Sequence, residues 1–231
     1  MSGLFITFEG TDGSGLSTQT ERLAAWFRAA GCPVHATKEP SSGPAGALLR
    51  LALAHRLGRG AADGESGGGR ESGEGGFWPL DETTMALLFA ADRADHLAAE
   101  VAPRLAGGTS VVCDRYTLST YAFQGVALDL AWLRGLNARA RVPDLTVFLD
   151  VPVAVSVERM RARGVVERYE RAETLARVRE AFLRLIPLLR AEGQRIAVVD
   201  GALPPDAVHD AVVAEVRRVL GAEPPPYSFT P

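Results

Sequence analysis

Lysine is almost missing from this chain. Lys38 is the single lysine among 231 residues, so arginine must meet nearly every anion that a side chain binds. Cysteine is equally scarce. Cys32 and Cys113 lie far apart without a CxxC partner, which excludes a disulfide framework or a thiolate metal knot and leaves two reduced thiols. No apolar run is long enough to span a bilayer, and no charged segment followed by an apolar one opens the chain, so a cytoplasmic protein without a membrane partner is expected. Excess positive charge is lacking too. A net charge near −3 and a pI near 5.9 argue against nucleic acid as the main partner. What remains is long enough to bury one sizeable α/β core.

The most informative stretch present is Phe8-Glu9-Gly10-Thr11-Asp12-Gly13-Ser14-Gly15-Leu16-Ser17-Thr18-Gln19. It follows the β-prone run Leu4 to Phe8 and precedes Leu23, Phe27 and Ala30, an apolar stripe at helical spacing. A strand, a glycine-rich turn and a helix make a phosphate cradle. Its glycines admit close backbone approach, and the N–H groups opening the helix point at the anion. Gly10-x-x-x-x-Gly15 followed by Ser17 is P-loop spacing, but Leu16 occupies the lysine position. Leucine can neither donate to a phosphate nor neutralise it. A glycine turn that binds nothing is the bland alternative. Ser17 is the expected Mg²⁺ ligand. Asp12, a carboxylate beside phosphates, calls for a metal or an acceptor group to justify it.

Further strands are expected at Val34–Thr37, Ser110–Cys113, Leu145–Leu149 and Ile196–Val199, each followed by a helical pattern. Five buried strands alternating with helices predict a doubly wound parallel sheet. Helices are expected over about Pro44–Leu57, from an Asp81 N-cap to about Ala106 with Pro103 disturbing its end, around Ser119 to Gln124, and from about Asp206 to Leu220. Residues 58–76 are nearly all Gly, Ser, Glu, Asp, Arg and Ala, a composition unable to bury enough apolar surface to offset ordering. They read as a flexible insertion in a single domain spanning residues 1–221, with a frayed tail at 222–231.

Asp114-Arg115 ends an apolar strand, where open α/β sheets place ligands, although a structural ion pair is the plain alternative. Phe89 and Arg93 share a helix face, and an aromatic ring with a guanidinium fork can stack on a base and bond its edge. Arg159, Arg161, Arg163, Arg168 and Arg171 bracket a glycine-containing break at 164–171. They form either a solvated face or a mobile flap over a transferring phosphate.

Together these segments resemble the thymidylate kinase family, in the family's order. The phosphate loop, Leu87-Leu88-Phe89-Ala90-Ala91-Asp92-Arg93, the segment Cys113-Asp114-Arg115-Tyr116 through Gly125, and Pro143 to Asp150 followed by Arg161-Ala162-Arg163-Gly164 and Glu167-Arg168-Tyr169-Glu170 carry the likeness. The resemblance implies a P-loop NTPase-type fold and phosphorylation of dTMP by ATP with Mg²⁺. It implies that Phe89 stacks on thymine, Arg93 bonds its edge, Thr120 and Gln124 read or bracket the base, and Ser119 belongs to the dTMP site. Phe123 then presses on the sugar, and Arg50 and Arg115 hold the acceptor phosphate. Asp12 orients the acceptor, Ser17 and Asp114 face the metal, and catalytic arginines come from the lid as Arg163 and Arg168. A homodimer is implied as well. Leu16 departs from the family pattern and shifts donor charge onto Mg²⁺, backbone N–H groups and arginines. Two rivals stand beside this reading: a nucleotide-binding relative that has lost transfer, and a kinase for another nucleotide or deoxynucleoside.

Overall fold

The computed structural model describes residues 3–54, 58–59, 78–161 and 172–221. Strand β1 (Phe5–Glu9) is buried along its whole length and leads through the glycine turn into helix α1 (Leu16–Ala29). Strand β2 (Val34–Lys38) and helix α2 (Pro44–Leu53) follow. A two-residue antiparallel pair, β3 (Gly58–Arg59) with β4 (Trp78–Pro79), comes next. Gly58 and Arg59, placed by composition in the insertion, thus belong to a strand. The helix expected to reach Leu57 ends at Leu53, and residues 55–57 lie outside the described residues.

Helix α3 (Glu82–His96) starts at Asp81, whose carboxylate accepts the Thr84 N–H at 2.9 Å. It continues through a π-turn (Leu97–Val101) into α4 (Ala102–Ala106), which places Pro103 in a first turn where its missing N–H costs little. Strand β5 (Ser110–Asp114), helix α5 (Thr117–Phe123), a 3₁₀ turn (Gln124–Val126) and helix α6 (Leu130–Leu136) lead to β6 (Leu145–Asp150). Helices α7 (Val153–Arg161) and α8 (Ala172–Ala191), strand β7 (Ile196–Asp200) and helix α9 (Pro205–Leu220) complete the described chain.

The main sheet runs β2-β5-β1-β6-β7 and every pairing in it is parallel. Alternating side chains divide the core. Ile6, Phe8, Val112 and Val147 face Leu23 and Phe27 of α1 and Val212 and Val216 of α9. On the other face Phe5, Val111 and Cys113 meet Val101 and Leu105, while Phe148 meets Phe182 and Ile186 of α8. Such a sheet is apolar on both sides because helices cover both. With β1 central, the turns leaving β1, β2 and β5 open at one edge, outside the carboxyl ends of the strands.

Candidate active site

The turn after β1 is built for an anion. Gly13 and Gly15 have φ of +80° and +94°, and a Cβ on Gly13 would lie 2.6 Å from the Ser156 carbonyl. Both positions need glycine. Gly15 is the N-cap of α1 and offers no side-chain acceptor. Gln19 N–H to Gly15 O, at 3.0 Å, is the first helical bond. The N–H groups of Leu16, Ser17 and Thr18 precede it, have no helical acceptor, and stand at the positive end of the helix dipole. The Leu16 side chain packs with Ile6, Leu23, Val112 and Val199 in the core, which accounts for an apolar residue there.

A cleft lined by Thr11 to Thr18, Lys38, Glu39, Asp114, Arg115 and Arg159 surrounds this turn. The Ser17 hydroxyl donates to Asp114 Oδ2 at 2.6 Å. Burial raises the Asp114 pKa, against the pull of Arg115, Ser17 and Lys38. Two hard oxygen donors beside a phosphate cradle suit Mg²⁺, which takes one or two protein oxygens and completes its shell with phosphate and water.

Arg115 joins this cleft to a second one. Its backbone sits at φ 70°, the left-handed region that a β-carbon disfavours. The side chain is held by three acceptors: Gly10 O at 2.8 Å, Asp12 Oδ1 at 2.6 Å and Ser119 Oγ at 3.2 Å. Its guanidinium lies 5.1 Å from the centre of the Phe123 ring. Beneath it, the fully buried Glu9 accepts from Leu118 N–H at 3.1 Å and from the Ser119 hydroxyl. Burial pushes the Glu9 pKa up to about 7.

The second cleft is lined by Asp12, Phe89, Arg93, Arg115, Ser119, Thr120, Phe123 and Gln124, with Glu39, Pro40, Leu53 and Tyr116. A large apolar lining with a few convergent polar groups is the usual form of a small-molecule site. Arg93 is buried yet fully engaged at its tips. It donates to Glu39 Oε2 at 2.7 Å, Asn137 Oδ1 at 2.5 Å and Thr120 Oγ1 at 3.1 Å. Its Nε and the Tyr116 hydroxyl are buried without a hydrogen-bond partner among the described residues.

The structure therefore brings together Thr11 to Thr18, Asp114 and Arg115 in one cleft, and Phe89, Arg93, Ser119, Thr120, Phe123 and Gln124 in the next; Gly10 lines neither and accepts from Arg115 through its carbonyl. Asp12 and Arg115 line both. Arg50 stands apart. It donates to the carbonyls of Pro40 and Ser41 and lines a neighbouring groove with Ser17, Lys38 and Asp114. Arg163 and Arg168 lie outside the described residues. Glu39, Tyr116 and Lys38 line these clefts in addition to the residues expected from the sequence, and Asn137 holds Arg93. A Glu-Pro step closing a strand and the tyrosine after Asp114-Arg115 were the signals available; nothing local marked Asn137.

A phosphate cradle and an aromatic-lined cleft, bridged by an arginine and an aspartate on a parallel sheet, define an α/β nucleotide-handling protein of the P-loop class. Comparison with known proteins narrows this. The family model described as thymidylate kinase matches residues 8–59 and 78–212. A probable thymidylate kinase of Thermococcus kodakarensis is 36% identical over 95% of this chain and all of its own. Thymidylate kinases of Solidesulfovibrio magneticus and Thermomicrobium roseum are each 40% identical over 94% of this chain, and 100% and 95% of their own. The chain belongs to the thymidylate kinase family, a family of nucleoside monophosphate kinases.

Proposed function

We propose that this chain phosphorylates dTMP to dTDP with ATP and Mg²⁺, as one kinase domain spanning residues 1–221. The observation that carries the reading is Arg115 with Asp12, 2.6 Å apart and lining both clefts, because transfer needs donor and acceptor phosphates to meet at one point. Phe89 offers its ring to the base. The unpartnered Nε of Arg93 suits a carbonyl on the base edge. Thr120 and Gln124 bracket the base and Phe123 the sugar. Arg115 holds the acceptor phosphate, Asp12 orients it, and Arg50 serves the acceptor phosphate from the adjoining groove.

Donor phosphates rest on the N–H groups of Gly13 to Thr18. Ser17 and Asp114 would hold Mg²⁺, which when bound neutralises charge on the donor phosphates. Arg163 and Arg168 are assigned to the transferring group as lid arginines, covering part of the charge that a lysine at position 16 would supply. An ADP-release assay with ATP, Mg²⁺ and a panel of nucleoside monophosphates tests the reading. Turnover is expected with dTMP; turnover with none of them leaves a binding protein.

We also propose a homodimer in the cytoplasm, as the family resemblance implies. Leu87, Ala91 and Ala94 form an exposed apolar stripe along α3, and Leu48 and Leu51 are exposed on the adjacent α2. Small and apolar side chains on a surface helix favour close helix packing. Sedimentation at micromolar concentration separates dimer from monomer.

A further inference from the structure

Three cations among the described residues line the phosphate-loop cleft: Lys38, Arg115 and Arg159. Two are committed to the protein. Arg115 donates to Gly10, Asp12 and Ser119, and Arg159 donates to Gly201 O at 2.9 Å and weakly to Gly13 O at 3.5 Å. Lys38 is exposed, and no hydrogen bond or ion pair joins it to a described residue. This is the chain's one lysine, and it stands in the cleft whose loop lacks one.

We propose that Lys38 supplies the phosphate-binding ammonium that Leu16 cannot, reaching the transferring phosphoryl group from β2 instead of from α1. This inference rests on the kinase reading above. Its position supports it in two directions. In the sheet Lys38 pairs with Asp114, which holds Ser17 at 2.6 Å on the donor side. In the chain Lys38 precedes Glu39, which lines the acceptor cleft. Lys38 itself lines the phosphate-loop cleft and the adjoining groove that it shares with Ser17, Arg50 and Asp114. Its charge already acts there, favouring the ionised form of Asp114. A four-carbon stem with three donors can follow a moving phosphate, which the held guanidinium of Arg115 cannot. Lys38 exchanges no proton and forms no bond; it lowers the energy of charge on the phosphoryl oxygens.

The order β2-β5-β1 makes the substitution possible. Strand β2 is remote from the phosphate loop in sequence but only one strand removed from β1 in space. Position 16 is then free to carry a core side chain.

The test compares wild type with Lys38→Met, Lys38→Arg, Leu16→Lys and the double variant Lys38→Met with Leu16→Lys. Lys38→Met should lower kcat by about 10²–10³, the usual effect of removing one donor to a transferring group, with little change in the KM for dTMP. Lys38→Arg should keep most of the rate. Because Lys38 is exposed and bonds to none of the described residues, melting temperature should not move. Leu16→Lys should raise kcat by roughly tenfold or more in the Lys38→Met background and by much less in wild type, as expected of two groups sharing one role. Lys38→Met within about threefold of wild type, or equal gains from Leu16→Lys in both backgrounds, overturns the proposal. Leu16 is packed in the core, so if Leu16→Lys fails to fold the Met and Arg variants decide alone. If wild type transfers no phosphate, the kinase reading fails first. Calorimetry with Mg²⁺ and a non-hydrolysable ATP analogue then decides for Lys38: about tenfold weaker binding by Lys38→Met supports it, unchanged binding overturns it.

Discussion

Arg93 and Glu39 form an ion pair at 2.7 Å in which both side chains are almost wholly buried, 3% and 2% exposed. Glu39 follows β2 directly and Arg93 lies in the last turn of α3, so the pair fastens a helix to the end of the sheet. His96, one turn along, adds a contact to Glu39 Oε1 at 3.3 Å. The guanidinium that faces the nucleoside cleft is thereby fixed in orientation before any ligand arrives.

Removing one partner of such a pair strands a charge. Glu39→Leu should destabilise the protein by about 3–5 kcal/mol, whereas Glu39→Leu combined with Arg93→Leu should cost less than Glu39→Leu alone. Denaturant titration with unchanged slopes measures both. Additive losses would show that the two residues act separately.

The same guanidinium predicts base selectivity. dTMP and dUMP should be used far better than dCMP or dGMP, because a cytosine amino group facing Arg93 leaves buried donors unpaired. Comparable kcat/KM for dCMP and dTMP would remove Arg93 as the base-reading group.

Glu9 should give stability a pH dependence. Its pKa rises on folding from 4.5 to about 7, so the folded state favours the protonated form. That stabilisation is full below pH 4.5 and is lost as pH rises through 7. Between pH 5 and 8, wild type should therefore lose stability relative to Glu9→Gln, on the order of 1–3 kcal/mol. Parallel profiles for the two proteins would show that Glu9 does not titrate in this window.

Residues 60–77 fall between the two stretches matched by the family model, and the chain flanking them pairs as Gly58 with Pro79 and Arg59 with Trp78. The ends of the insertion already meet. Deleting Ala61 to Gly75 should leave activity and melting temperature nearly unchanged, since shortening a loop alters closure entropy only slightly. A large loss of either would place a functional contact in that segment.

The sheet was legible because each strand is a short apolar run bounded by turn residues, as in Ser110-Val111-Val112-Cys113 before Asp114. The phosphate loop, Asp114-Arg115 and the Phe89/Arg93 pairing were legible for a similar reason: each is a local pattern. What escaped depends on strand order. Lys38 and Asp114 are paired neighbours, and Asn137 reaches Arg93 across 44 residues. Composition and periodicity carry no information about such pairings. The π-turn before Pro103 escaped as well, because the apolar stripe of α3 runs into it without a break.

The most direct measurement is chromatographic detection of dTDP formed by the wild-type protein from dTMP, ATP and Mg²⁺, with Leu16 in place. The account predicts many dTDP molecules per protein molecule, one ADP for each, and no product once Mg²⁺ is chelated. Calorimetric binding of dTMP with no dTDP formed would contradict it and leave a nucleotide-binding relative that has lost transfer.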